Sequence, residues 1–513
     1  MEPKGIYSVV WQRFLDILWV AVLVCLPLTS LPLFVDLTKG AVVSPLSALP
    51  VFILFFVWFI PYLLQRGKIP KEGLPLFYFL LIAIAVSAGA FFIDMPSLKG
   101  KNLIGQEGRA FVTLAIGIAF YFVFATWPKN PEQLKKTLQW VNIGGILMVL
   151  WTAFQAYYIF KNYNQYPDWM LHIQNWLVEQ SPNFGARSKR VSGLTYEASW
   201  FAHQLVVLYF PLWIAATYEK KSAFNFRFLG ISVESILLVV GGFEFYMSSP
   251  RIGLIAFLLM AIYLFIKANL ALLRRLVQTI TAYRAVRQQK TTNLLRSILS
   301  VGLGLVLSVA YVGILVTVVD LGSQRDWRLA LLVHNPPSQQ EIRGILTLNE
   351  NIVLNVSFRL AFLERVVYWV TGWHVFNQYP WFGVGLGNAG FYFLDKIPAI
   401  GWSSFEIRTA LTSLPQLPNI KSFWVRLLAE TGLVGFSIFL AWFYILWRSI
   451  RLTGRSNEPI LKMLALAGQL SLIAFLAEGF SIDSFAMPYL WVSAGLISAG
   501  GIIYRQTLHK VGD

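Results

Sequence analysis

Residues 74–93 read LPLFYFLLIAIAVSAGAFFI, twenty consecutive positions without a charge. A helix rises about 1.5 Å per residue, so a run of this length crosses the roughly 30 Å hydrocarbon core of a bilayer. No water is available there to satisfy peptide groups, and a helix satisfies its own. Comparable runs recur on both sides of this one, near Phe14 to Val35, Pro45 to Leu64, Ala110 to Trp127, Leu138 to Phe160, Trp200 to Thr217 and Ile231 to Met247. They continue near Ile252 to Ala268, Ser297 to Leu321, Trp424 to Trp447, Met463 to Phe480 and Pro488 to Tyr504. The pattern predicts an all-α polytopic membrane protein with about twelve transmembrane helices in a single transmembrane domain spanning residues 1–513. Composition agrees: the 513 residues are 57% hydrophobic and 13% charged, and the mean hydropathy is +0.60, which excludes a soluble globule with a solvated surface. The first run is longer than a signal-peptide core and lacks a small-residue cleavage pattern, so it reads as an anchor that is retained.

Basic residues set the orientation, because loops rich in Lys and Arg stay on the cytoplasmic side. Alternate connections are short and basic: Arg66, Lys68 and Lys71; Lys129, Lys135 and Lys136; Lys220, Lys221 and Arg227; Lys267 to Arg296; Arg448, Arg451, Arg455 and Lys462. With the termini, these segments hold more than half of the 42 lysines and arginines. Both termini are therefore expected in the cytoplasm, and two long connections, residues 161–199 and 322–423, on the outward side. The net charge of +17 is accounted for by the membrane-facing loops, so no nucleic-acid partner is inferred. The stretch Leu273 to Arg296 reads as a contact with anionic lipid. The second outward connection exceeds what joining two helices needs, and loops of that length are usually functional. Within it, SFRLAFLERVVYWVTGWHVFNQY (Ser357 to Tyr379) predicts one long helix ended by Pro380, with Leu360, Leu363, Val367 and Val370 on one stripe.

Candidate chemistry is sparse and mostly cationic. Cys25 is the single cysteine, and His172, His203, His334, His374 and His509 show no ligand spacing, so no metal site is expected. No P-loop is present, and GVGLGN at Gly383 to Asn388 follows no strand. That turn reads either as a tight glycine bend or as a backbone surface open to a phosphate or sugar. Arg190, Arg251 and Lys421 fall at the outward ends of spans, and Arg359 and Arg365 lie on the helix of the long outward connection. A fixed charge there needs hydration or a partner. A diphosphate is one such partner, matched by the planar fork of arginine. A local acid is another, as Glu197 is for Arg190. Glu197, Glu406 and Glu430 supply the carboxylates. Glu197 stands at the mouth of a span where neighbouring arginines keep it ionised, and Glu430 sits in LLAETGLVG, a small-residue setting suited to close helix packing.

The ordered set RVSGLTYEASWF from Arg190, SSPRIGL from Ser248, RVVYWVTGWHVFNQYPWFGVGLGN from Arg365, KSFWVRLLAETGLVG from Lys421 and PYLWVSAGL from Pro488 resembles the bacterial O-antigen ligase and O-antigen polymerase superfamily. The resemblance covers about the C-terminal two thirds, Arg190 to Leu496. It implies a GT-C-type glycosyltransferase of the bacterial inner membrane that needs no metal, nucleotide sugar or other cofactor. Its donor would be a glycan on undecaprenyl diphosphate, its second substrate an acceptor glycan, and a chain-length regulator a further partner. Arg190, Arg251, Arg359, Arg365 and Lys421 would bind the diphosphate, with Glu197, Arg190 and Arg365 catalytic. Where the ligases carry a histidine and asparagine before the LLAE run, this chain has Lys421 and Ser422. That difference favours polymerisation of repeat units over ligation to lipid A core, with Glu197 as the base. Transport of a lipid-linked glycan is the remaining alternative. It is weakened by the long outward loop and by the absence of evident internal repeats.

Overall fold

The computed structural model describes residues 6–37, 42–65, 67–92, 96–161, 163, 165–181, 184–185, 189–285 and 291–512. Arg66 and the middle of the basic connection, residues 286–290, lie outside the described residues, as does Ile93 at the end of the quoted run. Most of the described chain is helix, and among the described residues the only named strands form a two-residue hairpin, Arg227–Phe228 with Ile231–Ser232. The principal helices are α1 (Ile6–Val24), α2 (Ala48–Leu64), α3 (Leu74–Ala90), α4 (Leu103–Thr126), α5 (Pro131–Phe160), α6 (Ala198–Tyr218), α7 (Val233–Ser248), α8 (Arg251–Ala285) and α9 (Thr291–Arg325). In the long connection lie α10 (Trp327–His334), α11 (Gln339–Leu346), α12 (Glu350–Arg359) and α13 (Leu363–Gln378), followed by α14 (Phe423–Thr453), α15 (Pro459–Glu478) and α16 (Pro488–Gly512).

Eight of the described helices are long and apolar enough to cross a membrane, within α3, α4, α5, α6, α8, α9, α14 and α15. The other expected spans fall on shorter or more polar helices. Phe14 to Val35 is not one helix: α1 stops at Val24 and a separate turn of helix, Pro32–Leu37, follows. Pro27 explains the break, since its ring clashes with a carbonyl one turn back and it has no N–H to donate. The freed backbone turns to Ser44 instead, through Leu31 N to Ser44 O at 2.9 Å and Ser44 N to Thr29 O at 2.9 Å.

Lipid tails are as apolar as leucine, so these helices are held together by packing and by polar contacts rather than by exclusion from water. The α6 helix is the most enclosed, packed against α7 and α15, and α16 lies along α4. Trp213, Trp442 and Trp491 fill the centre. At one end a buried carboxylate joins three segments: Arg505 donates to both oxygens of Glu72, at 2.8 and 3.1 Å, and Ser449 donates at 3.1 Å. At that end of the bundle, connections that the charge pattern assigns to one face do meet, with Lys135, Lys136, Lys221 and Glu458 around one cavity of about 540 Å³. By contrast, α9 shows Val306, Leu307, Val309, Ile314 and Val316 on its outside, an apolar surface suited to lipid.

The 322–423 connection has its own core of Leu354, Leu363, Val367, Tyr368, Val375, Phe393, Ile407 and Ile420, and α13 lies on α14. The single helix expected over Ser357 to Tyr379 is two helices. Ala361, at φ 55°, ends α12 in the left-handed region, with Phe362 N donating to Ser357 O at 2.8 Å to close the turn. The glycine turn after α13 is spent on structure. Gly432 breaks α14 at φ 61°, ψ −169°, and the groups released pair with the turn: Val384 N to Ala429 O at 3.0 Å, Gly385 N to Glu430 O at 3.0 Å, Leu433 N to Pro380 O at 2.8 Å. A β-carbon on Gly432 would fall 2.3 Å from the Trp381 carbonyl, and one on Gly383 would fall 2.5 Å from the Glu430 backbone, so only glycine permits this approach.

Candidate functional site

The N-termini of α6 and α8 and the C-termini of α5, α7, α9 and α15 converge at one end of the bundle around a chamber of about 880 Å³. Its lining includes Lys189, Arg190, Arg251, Arg325, Arg328 and Arg365, six cations, against the three carboxylates Glu197, Asp326 and Glu478. The sequence-predicted Arg190, Arg251, Arg365 and Glu197 are thus brought together, from segments up to 175 positions apart in the numbering. Arg359 and Lys421 do not border the chamber. Arg359 is turned to Glu341, bonding both carboxylate oxygens at 2.9 Å. Lys421 pairs with Glu406 and lies over the Tyr368 ring at 4.3 Å. Glu430 is likewise elsewhere, bonded by Arg426 at 2.9 Å within α14.

Neutral backbone carbonyls hold most of the chamber's guanidiniums. Arg190 Nε donates to Ser248 O at 2.8 Å and Nη2 to Ser249 O at 3.3 Å. Arg325 donates to the carbonyl of Lys189 and to Ser249 Oγ at 3.0 Å, with its guanidinium over Tyr246 at 5.4 Å. Arg251 reaches Ala361 O at 3.5 Å and covers the Phe362 ring at 4.6 Å, while its nearest acid, Asp326, stands off at 3.7 Å. Arg365 donates to Ser481 O at 3.1 Å. A carbonyl fixes a guanidinium without cancelling its charge, which leaves the chamber strongly cationic. Burial pushes the Arg190 guanidinium below its ordinary value, and Glu197 and Asp326 draw it back up. An arginine so placed keeps its charge at any physiological pH.

The carboxylates are each engaged. Glu197 stands just before α6 and its carboxylate accepts from Ser199 Oγ, and Asp326 caps α10 through Arg328 N at 2.9 Å. Glu478, at the end of α15, receives His203 Nδ1 on Oε2 at 3.0 Å. Among the described residues no group of three or more His, Cys, Asp or Glu is gathered to hold a metal ion. What the arrangement can do is receive a multiply charged anion.

Comparison with models of known protein families and with curated proteins gives no match. The resemblance therefore rests on the motifs quoted above.

Three lining residues, Arg325, Arg328 and Glu478, and the buried His203 that pairs with Glu478 escape the sequence reading. Arg325 and Arg328 follow a span in DLGSQRDWRLALL, where two cations flank a helix-capping Asp326; that cap was a usable signal. Glu478 is an acid inside an apolar run, which by itself marks a functional position. His203 escapes because only metal spacing was asked of the histidines. A second cavity adjoins the first. It is apolar, about 270 Å³, walled by Phe210, Gly242, Phe245, Leu254, Phe257 and Val318, and it shares Ser249, Pro250, Arg251 and Asp326 with the cationic chamber.

Proposed function

We propose that the chamber binds the diphosphate of a lipid-linked glycan and that the protein is a membrane glycosyltransferase polymerising undecaprenyl-diphosphate-linked repeat units. In this reading the chain makes about twelve crossings in a GT-C-type arrangement, in the bacterial inner membrane, with both termini cytoplasmic and the chamber outward. The observation that carries it is the pairing of a six-cation chamber with an apolar pocket across four shared residues. A ligand charged at one end and oily at the other is the complement of that pairing. An unesterified anion would leave the pocket unused, and a neutral lipid would leave the cations unmatched.

Bond making and breaking follow from the ligand. An acceptor sugar hydroxyl attacks the anomeric carbon, the bond to the phosphate oxygen breaks, and its electron pair leaves with undecaprenyl diphosphate, inverting the centre. A diphosphate is already a good leaving group. Catalysis then consists of neutralising the charge that grows on it and holding the nucleophile in line. Arg190, Arg251 and Arg365 supply the first, with Arg325 and Arg328 reinforcing them. Glu197, fixed at the mouth of α6, orients the acceptor hydroxyl. Lys421 and Arg359, outside the chamber, are left to contact sugars or to support the long connection.

The test uses purified protein with lipid-linked saccharide extracted from cells lacking this chain. A ladder of chain lengths is expected, without sealed vesicles, which a transporter does not produce. Arg190→Ala and Arg365→Ala are each expected to lower turnover about a hundredfold. Wild-type turnover in both, at normal expression, would remove the diphosphate from this chamber.

A further inference from the structure

Glu478 on the chamber wall pairs with the buried imidazole of His203, and the cation-based reading leaves this pair without a task. Glu478 is 1% exposed and His203 is fully buried, with Nδ1 and Oε2 3.0 Å apart. Burying two ionisable groups costs several kcal/mol, roughly, before their attraction is counted, so such a pair needs a reason. A carboxylate that is to take a proton accepts from the imidazole, which then donates from Nδ1 and holds Glu478 in place. The second carboxylate oxygen, Oε1, accepts no hydrogen bond from the described residues, and Glu478 borders the chamber. His203 Nε2 has no hydrogen-bond partner among the described residues either. Its ring is enclosed by Phe475 and Tyr489, 6.3 and 5.8 Å away, which fix its plane. Immediately after His203, α6 loosens into a π-helical turn, Leu205–Tyr209, a feature found often beside functional residues.

Glu197 is engaged differently. It sits at the rim just before α6, takes the Ser199 hydroxyl on Oε1, and lies within electrostatic reach of Arg190.

On the reading given under Proposed function, we propose that Glu478 is the catalytic base and His203 its positioning residue. As the acceptor oxygen bonds to the anomeric carbon, its proton passes to Glu478 Oε1, while the electron pair of the broken bond leaves on the diphosphate. Glu478 then releases the proton to water. His203 keeps the carboxylate aimed at the chamber, and Glu197 orients rather than deprotonates.

Two substitutions at one position separate chemistry from architecture. Glu478→Gln keeps the shape and still accepts a hydrogen bond from His203 but takes no proton. Glu478→Asp keeps the proton-accepting group and shortens it. With the extracted lipid-linked saccharide, Glu478→Gln is expected to lose a hundredfold or more in kcat, as loss of a general base does. Its binding of inorganic diphosphate should stay the same or tighten, because a negative charge has left a cationic chamber. Glu478→Asp is expected to retain more turnover than Glu478→Gln. His203→Gln should lower kcat roughly tenfold or more with KM unchanged. The reverse order, Gln active and Asp inactive, assigns the pair to packing and overturns the proposal, as does a Glu478→Gln enzyme at wild-type rate. Loss of diphosphate binding in step with turnover overturns it too. Failure of the wild-type protein to bind inorganic diphosphate is a different outcome and sinks the parent reading.

Discussion

Gly242 lines the apolar pocket, and a β-carbon built on it meets nothing within 4 Å, so the position is open space on the inner face of α7. Gly242→Leu fills that space without straining the fold. Replacing glycine within a helix favours the helix by roughly 0.5–1 kcal/mol, so loss of structure is not expected. The four carbons of the new side chain displace about as many methylenes of a bound hydrocarbon. Each is worth about 0.8 kcal/mol when buried, giving a loss of about 3 kcal/mol, or on the order of a hundredfold in affinity. Inorganic diphosphate has no hydrocarbon and uses only the cationic side. The assay is binding of farnesyl diphosphate and of inorganic diphosphate to wild-type and Gly242→Leu protein in lipid nanodiscs at one ionic strength. Farnesyl diphosphate should weaken by about two orders of magnitude and inorganic diphosphate by less than about threefold. Equal affinity of the two proteins for farnesyl diphosphate would refute the role of the pocket. Equal weakening of both ligands would show instead that the variant has disturbed the chamber.

Other outcomes follow from named contacts. Arg325→Ala removes a chamber cation together with its bonds to the Lys189 carbonyl and Ser249 Oγ, and titration with inorganic diphosphate should show at least tenfold weaker binding, with a shallower salt dependence. Arg505→Met leaves Glu72, 2% exposed, with Ser449 as its remaining hydrogen-bond donor, and is expected to cost about 1.5–3 kcal/mol in denaturant unfolding. Ala361→Gly relieves a left-handed alanine at φ 55° and should stabilise the chain by about 1 kcal/mol, read as a raised Tm. At Glu341 the hydrogen bond from the Ser338 backbone, and then Arg359, hold the carboxyl below the usual carboxylate range. Its contribution to stability is therefore fully present above the ordinary carboxylate value and is lost as pH falls through the lower folded value. Protection factors for amide exchange across Gln339–Leu346 should fall in that acid window and be unchanged from neutral pH down to its upper edge.

Hydropathy made the helical membrane class legible, because a charge-free run of twenty residues has few alternatives in any protein. It did not resolve Pro27, where a run of the right length hides a chain reversal, since apolar residues pack as well in a break as in a helix. Arg190 and Arg251 are legible because each abuts the end of a span that the pattern locates, and Arg365 because it is a cation on the helical pattern of the long connection. Arg359 was grouped with Arg365 by an apparent continuous helix, and the residue that separates them, Ala361, is the best helix former there is. Its left-handed turn is imposed by the packing of α12 and α13, which no local propensity records. Lys421 was assigned by its closeness in sequence to the LLAE run, whereas its amine is claimed by Glu406 from within the same connection. Glu478 and His203, 275 positions apart, become a pair only when α6 and α15 are laid side by side.

The left-handed turn at Ala361 has two counterparts around the chamber. Lys189, Ser249 and Ala361 are non-glycine residues at φ 54°, 47° and 55°, and each presents its carbonyl to a guanidinium: Lys189 to Arg325, Ser249 to Arg190 and Ala361 to Arg251. An L-residue in that region costs roughly 1–2 kcal/mol, so three at one site store strain that the surrounding packing must outweigh. These carbonyls fix guanidiniums that also have Asp326 and Glu197 nearby, and with six cations against three carboxylates the lining keeps an excess of positive charge for the ligand. Such preorganisation is what lowers a barrier in which negative charge grows on a leaving group, because no reorientation remains to be done when the charge appears. The groups that aim the arginines are main-chain atoms of a lysine, a serine and an alanine, so the aiming, unlike the arginines themselves, is not legible in the sequence.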